Sequence, residues 1–171
     1  MAQQESHGGA PLDLSSFFDY PDVQVHEAAQ ELAFLGDRSE RDWEKLLAHT
    51  DARPFAAGDT VIHAGELDRA LYIVTSGSLA MLLPQRDGGQ KAFKTIDAPT
   101  VLGELCFVSG GPRSSTVRAT TDGEMRRLSY DAFEVLAARE PELSRAILLD
   151  ISRILAQRLR TATDFIADWV A

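Results

Sequence analysis

Between Pro54 and Leu128, glycine breaks the chain into short β-prone runs roughly every eight to twelve residues, and this spacing narrows the choice of fold more than any other feature. The runs are Thr60–His63, Leu71–Ser76, Ser78–Leu83, Ala92–Ile96, Ser115–Ala119 and Glu124–Ser129. Such a series is the pattern of an antiparallel barrel or jelly roll. Asp87-Gly88-Gly89 marks a hairpin tip within it. The spacing predicts a mainly β fold with flanking helices: a double-stranded β-helix, or jelly-roll, β-roll of about eight antiparallel strands over about residues 54–129.

On both sides of this region the period changes from strand-like to helical. Trp43, Leu46 and Leu47 share a face in a helix predicted over Leu35–Leu47, with Asp37 or Ser39 as its cap. After Tyr130, Asp131 is placed to cap a short helix over Ala132–Arg139, and Pro141 to start a long one running towards Trp169. Along that last helix Leu148, Leu155, Leu159, Ala162, Ile166 and Trp169 follow a repeat of about 3.5 residues, interrupted only by Ser152. Ile147, Ile151 and Ile154 form an adjoining stripe. Two apolar stripes let one helix pack on its own barrel and on a second helix, so the expectation is a homodimer formed through the C-terminal helix, the alternative being one wide stripe buried in its own domain. The division expected is 1–33 as a tail and docking segment and 34–171 as the folded domain, with the β-roll over about 54–129 and C-terminal helices over about 131–169. Residues 1–10 read as a disordered tail, and Phe17, Phe18 and Tyr20 are able to dock on the domain.

Composition restricts the function classes. Seventeen basic against twenty-six acidic residues give a net charge of −9, which argues against a broad footprint on nucleic acid. The single cysteine, Cys106, rules out an internal disulfide and fits a reducing, cytoplasmic compartment. No apolar run approaches about 18 residues, so no membrane span is expected. The histidines His7, His26, His49 and His63 show neither metal-ligand spacing nor a nucleophile partner, and only His63 falls in the barrel region. A cupin-like metalloenzyme is therefore the weaker alternative, and the chain reads as a non-enzyme with no metal and no cofactor.

The chemistry is concentrated in residues 103–119, GELCFVSGGPRSSTVRA. Gly103 lacks a Cβ and lets backbone approach a ligand closely. Glu104, when ionised, only accepts hydrogen bonds and suits a ribose hydroxyl. Arg113 presents a planar fork of donors that matches phosphate oxygens and stays charged at any working pH. Ser114, Ser115 and Thr116 add hydroxyls, and Leu105, Cys106, Phe107 and Val108 fit one helical turn. The combination suits a sugar joined to an anionic phosphate. Because a net charge of −9 repels a nucleotide at long range, the attraction has to be local, and Arg113 is the means.

This segment resembles the phosphate-binding cassette of the cyclic nucleotide-binding domain, the family that includes bacterial catabolite activator proteins, protein kinase A regulatory subunits and cyclic nucleotide-gated channels. Gly103, Glu104, Arg113, Ser114, Val117 and Ala119 fall on the family pattern, while Ser115 stands where the family usually has alanine. Upstream, Gly58, Gly65 and Gly77 resemble the family's turn glycines and Leu71-Tyr72-Ile73-Val74 its central strand. The resemblance covers roughly residues 34–160. It implies a sensor of a purine cyclic nucleotide, with cyclic AMP ahead of cyclic GMP, which Ser114 leaves open, and with Gly103, Glu104, Leu105, Cys106, Arg113, Ser114, Ser115 and Val117 as binding residues. Gln157, Arg158 and Thr161 are the candidate base contacts from the last helix. Without a helix-turn-helix segment in these residues, it implies output through a separate protein partner, contacted through Ile166, Trp169 and Val170 or the Phe17–Tyr20 segment. The competing reading is an interaction module with a vestigial pocket in which Glu104 and Arg113 pair with each other.

Overall fold

The computed structural model describes residues 34–84 and 88–170, apart from the side chains at 165 and 168–170. Expectations for the 1–33 tail, with Phe17, Phe18, Tyr20, His7 and His26, for Asp87 at the hairpin tip, and for the side chains of Trp169 and Val170 lie outside the described residues.

The order of elements is α1 (Glu40–Leu47), β1 (Asp51–Phe55), β2 (Thr60–Ile62), β3 (Ala70–Ser76), β4 (Ser78–Pro84), β5 (Gln90–Asp97), β6 (Thr100–Leu102), α2 (Glu104–Ser109), β7 (Thr116–Ala119), β8 (Gly123–Ser129), α3 (Tyr130–Arg139) and α4 (Pro141–Val170). The strands form two four-stranded sheets, β1-β8-β3-β6 and β2-β7-β4-β5, in which every pairing is antiparallel. This is the jelly-roll architecture that the glycine spacing predicts. The roll starts earlier than expected, because β1 pairs with β8 from Asp51↔Arg127 to Phe55↔Gly123. β1 is an edge strand, so Pro54, which has no N–H to give a second neighbour, is tolerated there.

Alternation along the strands separates two cores. Ala70, Tyr72 and Val74 of β3 point between the sheets, where they meet Phe55, Ile62, Leu79, Ile96, Leu102, Val117 and Met125. Leu71 and Ile73 point the other way and join Val101 and Leu128 beneath a helical layer built from Phe107, Phe133, Leu136, Leu143, Ile147, Ile151 and Ile154. β8, β3 and β6 are therefore covered on both faces.

The helix starts follow local capping chemistry. Ser39 caps α1, its hydroxyl accepting from the Asp42 N–H, with Glu40 and Asp42 in the first turn and Lys45 in the last. Ser129 caps α3 in the same way, accepting from the Ala132 N–H. The cap therefore falls two residues before Asp131, which lies inside the first turn, because the extended β8 backbone ends at Ser129. On α4 the isoleucine stripe is buried, whereas Leu148, Leu159 and Ile166 are 41, 69 and 46% exposed. The two stripes therefore have different surroundings, one in the core and one at the surface. α1 is held against this layer through the Leu35 N–H, which donates to Asp150 Oδ2 at 2.9 Å, and through Lys45 Nζ, 2.7 Å from Glu140 Oε2. No described helix is long and apolar enough to cross a membrane.

Candidate functional site

The short strand β6 delivers the chain to Gly103, whose φ of 80° lies in the left-handed region. Only a residue without a Cβ fits here. An added Cβ would sit 2.0 Å from Arg113 Nη1 and 2.8 Å from the Ala70 carbonyl oxygen. The reversal at Gly103 starts α2 at once, and a second left-handed glycine, Gly110, ends it. The return segment is pinned to the β2–β3 loop by two backbone bonds, Gly65 N–H to Arg113 O at 2.8 Å and Arg113 N–H to Glu66 O at 2.9 Å.

Arg113 is almost fully buried, at 4% exposure. A buried guanidinium needs a counter-charge and hydrogen-bond acceptors. Asp68 and Ala70 supply them: Nη2 donates to Asp68 Oδ2 at 2.8 Å and Nη1 to the Ala70 carbonyl at 2.9 Å. Two of the five N–H donors of the guanidinium are engaged in these bonds. Asp68 also accepts from Arg127 Nη2 at 2.6 Å and from the Tyr72 hydroxyl at 2.8 Å. Burial pushes the Asp68 carboxyl up, but hydrogen bonds from Arg127, Tyr72 and Arg113, together with the Arg127 charge, outweigh it and lower the pKa to about 2. Asp68 is thus ionised throughout the working range and fixes Arg113 in one position. Burial, reinforced by the bond to Asp68, pushes the Tyr72 phenol up.

Glu104, at 8% exposure, is the other buried charge of the segment. Its partner is not Arg113 but Arg158 of α4: Nη1 of Arg158 lies 2.5 Å from Glu104 Oε1, and Nη2 donates to the Val101 carbonyl at 3.2 Å. Each charge therefore has its own support from a different part of the fold, and the mutual Glu104–Arg113 pair of the vestigial reading is not what the structure contains. Cys106 is buried as a small side chain whose Sγ lies 2.8 Å from the Gly111 carbonyl oxygen and 3.3 Å from that of Asp68.

One cavity collects these groups. Gly103, Glu104, Leu105, Cys106, Arg113, Ser114, Ser115 and Val117 line it, with Arg158 from α4 and an apolar wall of Ile62, Met81 and Leu102. All eight binding residues expected from the sequence are thus brought together. Of the three candidate base contacts, only Arg158 reaches the cavity. Thr161 is exposed, its hydroxyl donating to the Gln157 carbonyl at 3.2 Å, and Gln157 is half-buried. Asp68 was not legible as a site residue, because its partner Arg113 is 45 positions away. With Arg158 across to Glu104, the free volume is about 40 Å³, well below the roughly 300 Å³ at which ligand pockets begin. Among the described residues no three His, Cys, Asp or Glu side chains are grouped so as to hold a metal ion.

Comparison with known proteins agrees with this geometry. Residues 52–140 match the model of the cyclic nucleotide-binding domain. The cAMP-activated global transcriptional regulator CRP of Salmonella typhimurium is 31% identical over 122 residues, covering 71% of this chain and 56% of the relative. The cAMP-activated global transcriptional regulator Vfr of Pseudomonas aeruginosa is 32% identical over 129 residues, covering 73% of this chain and 58% of the relative. The chain thus spans a little over half the length of these two relatives. Among solved structures, a cyclic nucleotide-binding domain from Methylobacillus flagellatus superposes with a TM-score of 0.71 at 21% identity, covering 91% of this chain and 85% of that one. With its jelly roll, its cassette between β6 and β7 and a match over more than half its length, the chain belongs to the cyclic nucleotide-binding domain family.

Proposed function

We propose that this domain is a non-catalytic sensor of a purine 3′,5′-cyclic monophosphate, with cyclic AMP preferred to cyclic GMP, and that it signals through a protein partner. The observation that carries the reading is the pair of buried, separately supported charges, Glu104 and Arg113, on one cavity. In this reading the remaining donors of Arg113 clamp a phosphate oxygen, helped by Ser114 and the N–H groups of Cys106 and Ser115. Glu104 and the Gly103 backbone hold the ribose 2′-hydroxyl. Leu105 and Val117, with Ile62 and Met81, give the nucleotide an apolar wall. The names of CRP and Vfr describe both as cAMP-activated, which supports the choice of cyclic AMP.

Ligand entry would act on α4 directly. The ribose hydroxyl and the Arg158 guanidinium compete for the same carboxylate, so occupancy favours an arrangement in which Arg158 has moved. Titration calorimetry with both nucleotides tests the assignment. Charge-assisted bonds to phosphate are worth about 1.5–3 kcal/mol each, so Arg113→Ala should weaken binding at least ~10-fold. Equal affinity of wild type and Arg113→Ala, or no heat at millimolar nucleotide, would favour the vestigial pocket. A preference for cyclic GMP would point to Ser114, whose hydroxyl is of the type that can also meet a guanine amine.

The exposed stripe Leu148, Leu159 and Ile166, with half-buried Leu155, supports a homodimer through α4. Sedimentation equilibrium should give a dimer mass for the wild type and a monomer mass for Leu159→Glu. A monomeric wild type across the micromolar range would leave this face to the protein partner instead.

A further inference from the structure

Arg69 lies outside the cavity, yet it touches both α2 of the cassette and the start of α3. Its Nε donates to the Phe107 carbonyl at 2.9 Å, and its Nη2 lies 3.4 Å from the Val108 carbonyl. These are carbonyls of the last turn of α2, which have no helical N–H ahead of them, and a guanidinium there both bonds them and meets the negative end of the helix. The same guanidinium lies flat against α3. Its central carbon is 3.3 Å from the centroid of the Tyr130 ring, and the Arg69 carbonyl accepts the Tyr130 N–H at 2.9 Å. One residue earlier in the chain, Asp68 holds Arg113.

Hydrophobic contact alone would join α2 and α3 loosely. Phe107, Tyr130 and Phe133 form a ring cluster with centroids 5.3–6.1 Å apart, tilted or edge-on, and such contacts, though oriented, bond neither helix end. A bonded and stacked guanidinium is directional, and it fixes the carbonyl end of α2 over the first residue of α3. We propose that Arg69 is a positioning residue that makes the last turn of α2 and the first turn of α3 move as one unit, so that occupancy of the cassette is passed to α3. The coupling rests on the sensor reading for its purpose. The mechanical link between the two helices does not.

Hydrogen exchange on the full chain separates the two. Wild type, Arg69→Lys and Arg69→Ala are compared with and without cyclic AMP, with thermal midpoints confirming that each variant is folded. Lysine keeps the charge and one donor but loses the planar stack, so it is the informative variant if alanine does not fold. Without nucleotide, Arg69→Lys should accelerate exchange about 3- to 10-fold at both residues 108–111 and residues 130–133, the effect of losing one stacked cation. With nucleotide, the variant should bind within about threefold of wild type, while the added protection across residues 130–139 falls by at least half. Acceleration confined to one segment, or none, overturns the link. A loss of affinity as large as that of Arg113→Ala overturns the positioning role and makes Arg69 part of the binding site. If the wild type takes up no cyclic AMP, the sensor reading fails and the nucleotide-free comparison still decides the link.

Discussion

Replacing Phe107 by alanine is expected to destabilise the domain by about 3–5 kcal/mol, the usual range for a fully buried phenylalanine. Its side chain is 0% exposed and its ring packs 5.5 Å from Tyr130 and 5.3 Å from Phe133. The residue is on α2, a helix of only six residues bounded by the bonds from the Phe107 N–H to the Gly103 carbonyl and from the Gly110 N–H to the Cys106 carbonyl. So short a helix has little stability of its own. Phe107 is the anchor that holds the cassette on the helical layer, and its removal leaves a void in the core it shares with Leu71 and Leu128. Urea unfolding followed by circular dichroism measures the change. A loss under about 1 kcal/mol would show that α2 relaxes inward and that the anchor is elsewhere.

Gly103→Ala is expected to remove both stability and nucleotide binding. A non-glycine residue in the left-handed region costs about 1–2 kcal/mol by itself. Here the new methyl would also lie 2.0 Å from Arg113 Nη1, and the nearby Ala70 carbonyl, at 2.8 Å, is backbone that cannot swing away. Arg113 has to leave, and its bond to Asp68 is of the charged kind worth about 1.5–3 kcal/mol. The sum is roughly 3–5 kcal/mol. Gly110→Ala is the comparison: its φ is 71°, but the nearest atom to an added Cβ, Arg69 Nε, is 3.8 Å away, so it should show the conformational cost alone. Unfolding midpoints and calorimetric titration of both variants test this. Equal behaviour of the two would mean that Gly103 serves its backbone shape and not the placement of Arg113.

The roll and its helical flanks were legible because each rests on a local period, and the cassette because its residues are close in sequence. What was missed has a physical reason in each case. β1 presents four exposed residues, Pro54 among them, so it carries no apolar alternation, and its place in the sheet comes from pairing with β8. β6 is only three residues long. The support of the two site charges was hidden for a different reason. Asp68 reaches Arg113 across 45 positions and Arg158 reaches Glu104 across 54, separations that no local pattern reports. The choice of Arg158 over Gln157 and Thr161 depended on helix register, which is fixed only when Ile147, Ile151 and Ile154 settle on the sheet.

The two cores share no side chain, and β3, like β6 and β8, faces both. It works as a keel: residues of one parity hold the closed roll together, and those of the other carry a separate deck of helices. That deck is joined to the roll by side-chain packing and by individual hydrogen bonds such as Tyr130 N–H to the Arg69 carbonyl and Arg158 to the Val101 carbonyl, and not by a strand ladder. Arg113 and Asp68 belong to the roll, while Arg158 and Tyr130 ride on the deck. If the domain is the sensor proposed above, small lateral travel at the seam between roll and deck would let the shape of the roll stay constant while its helices report.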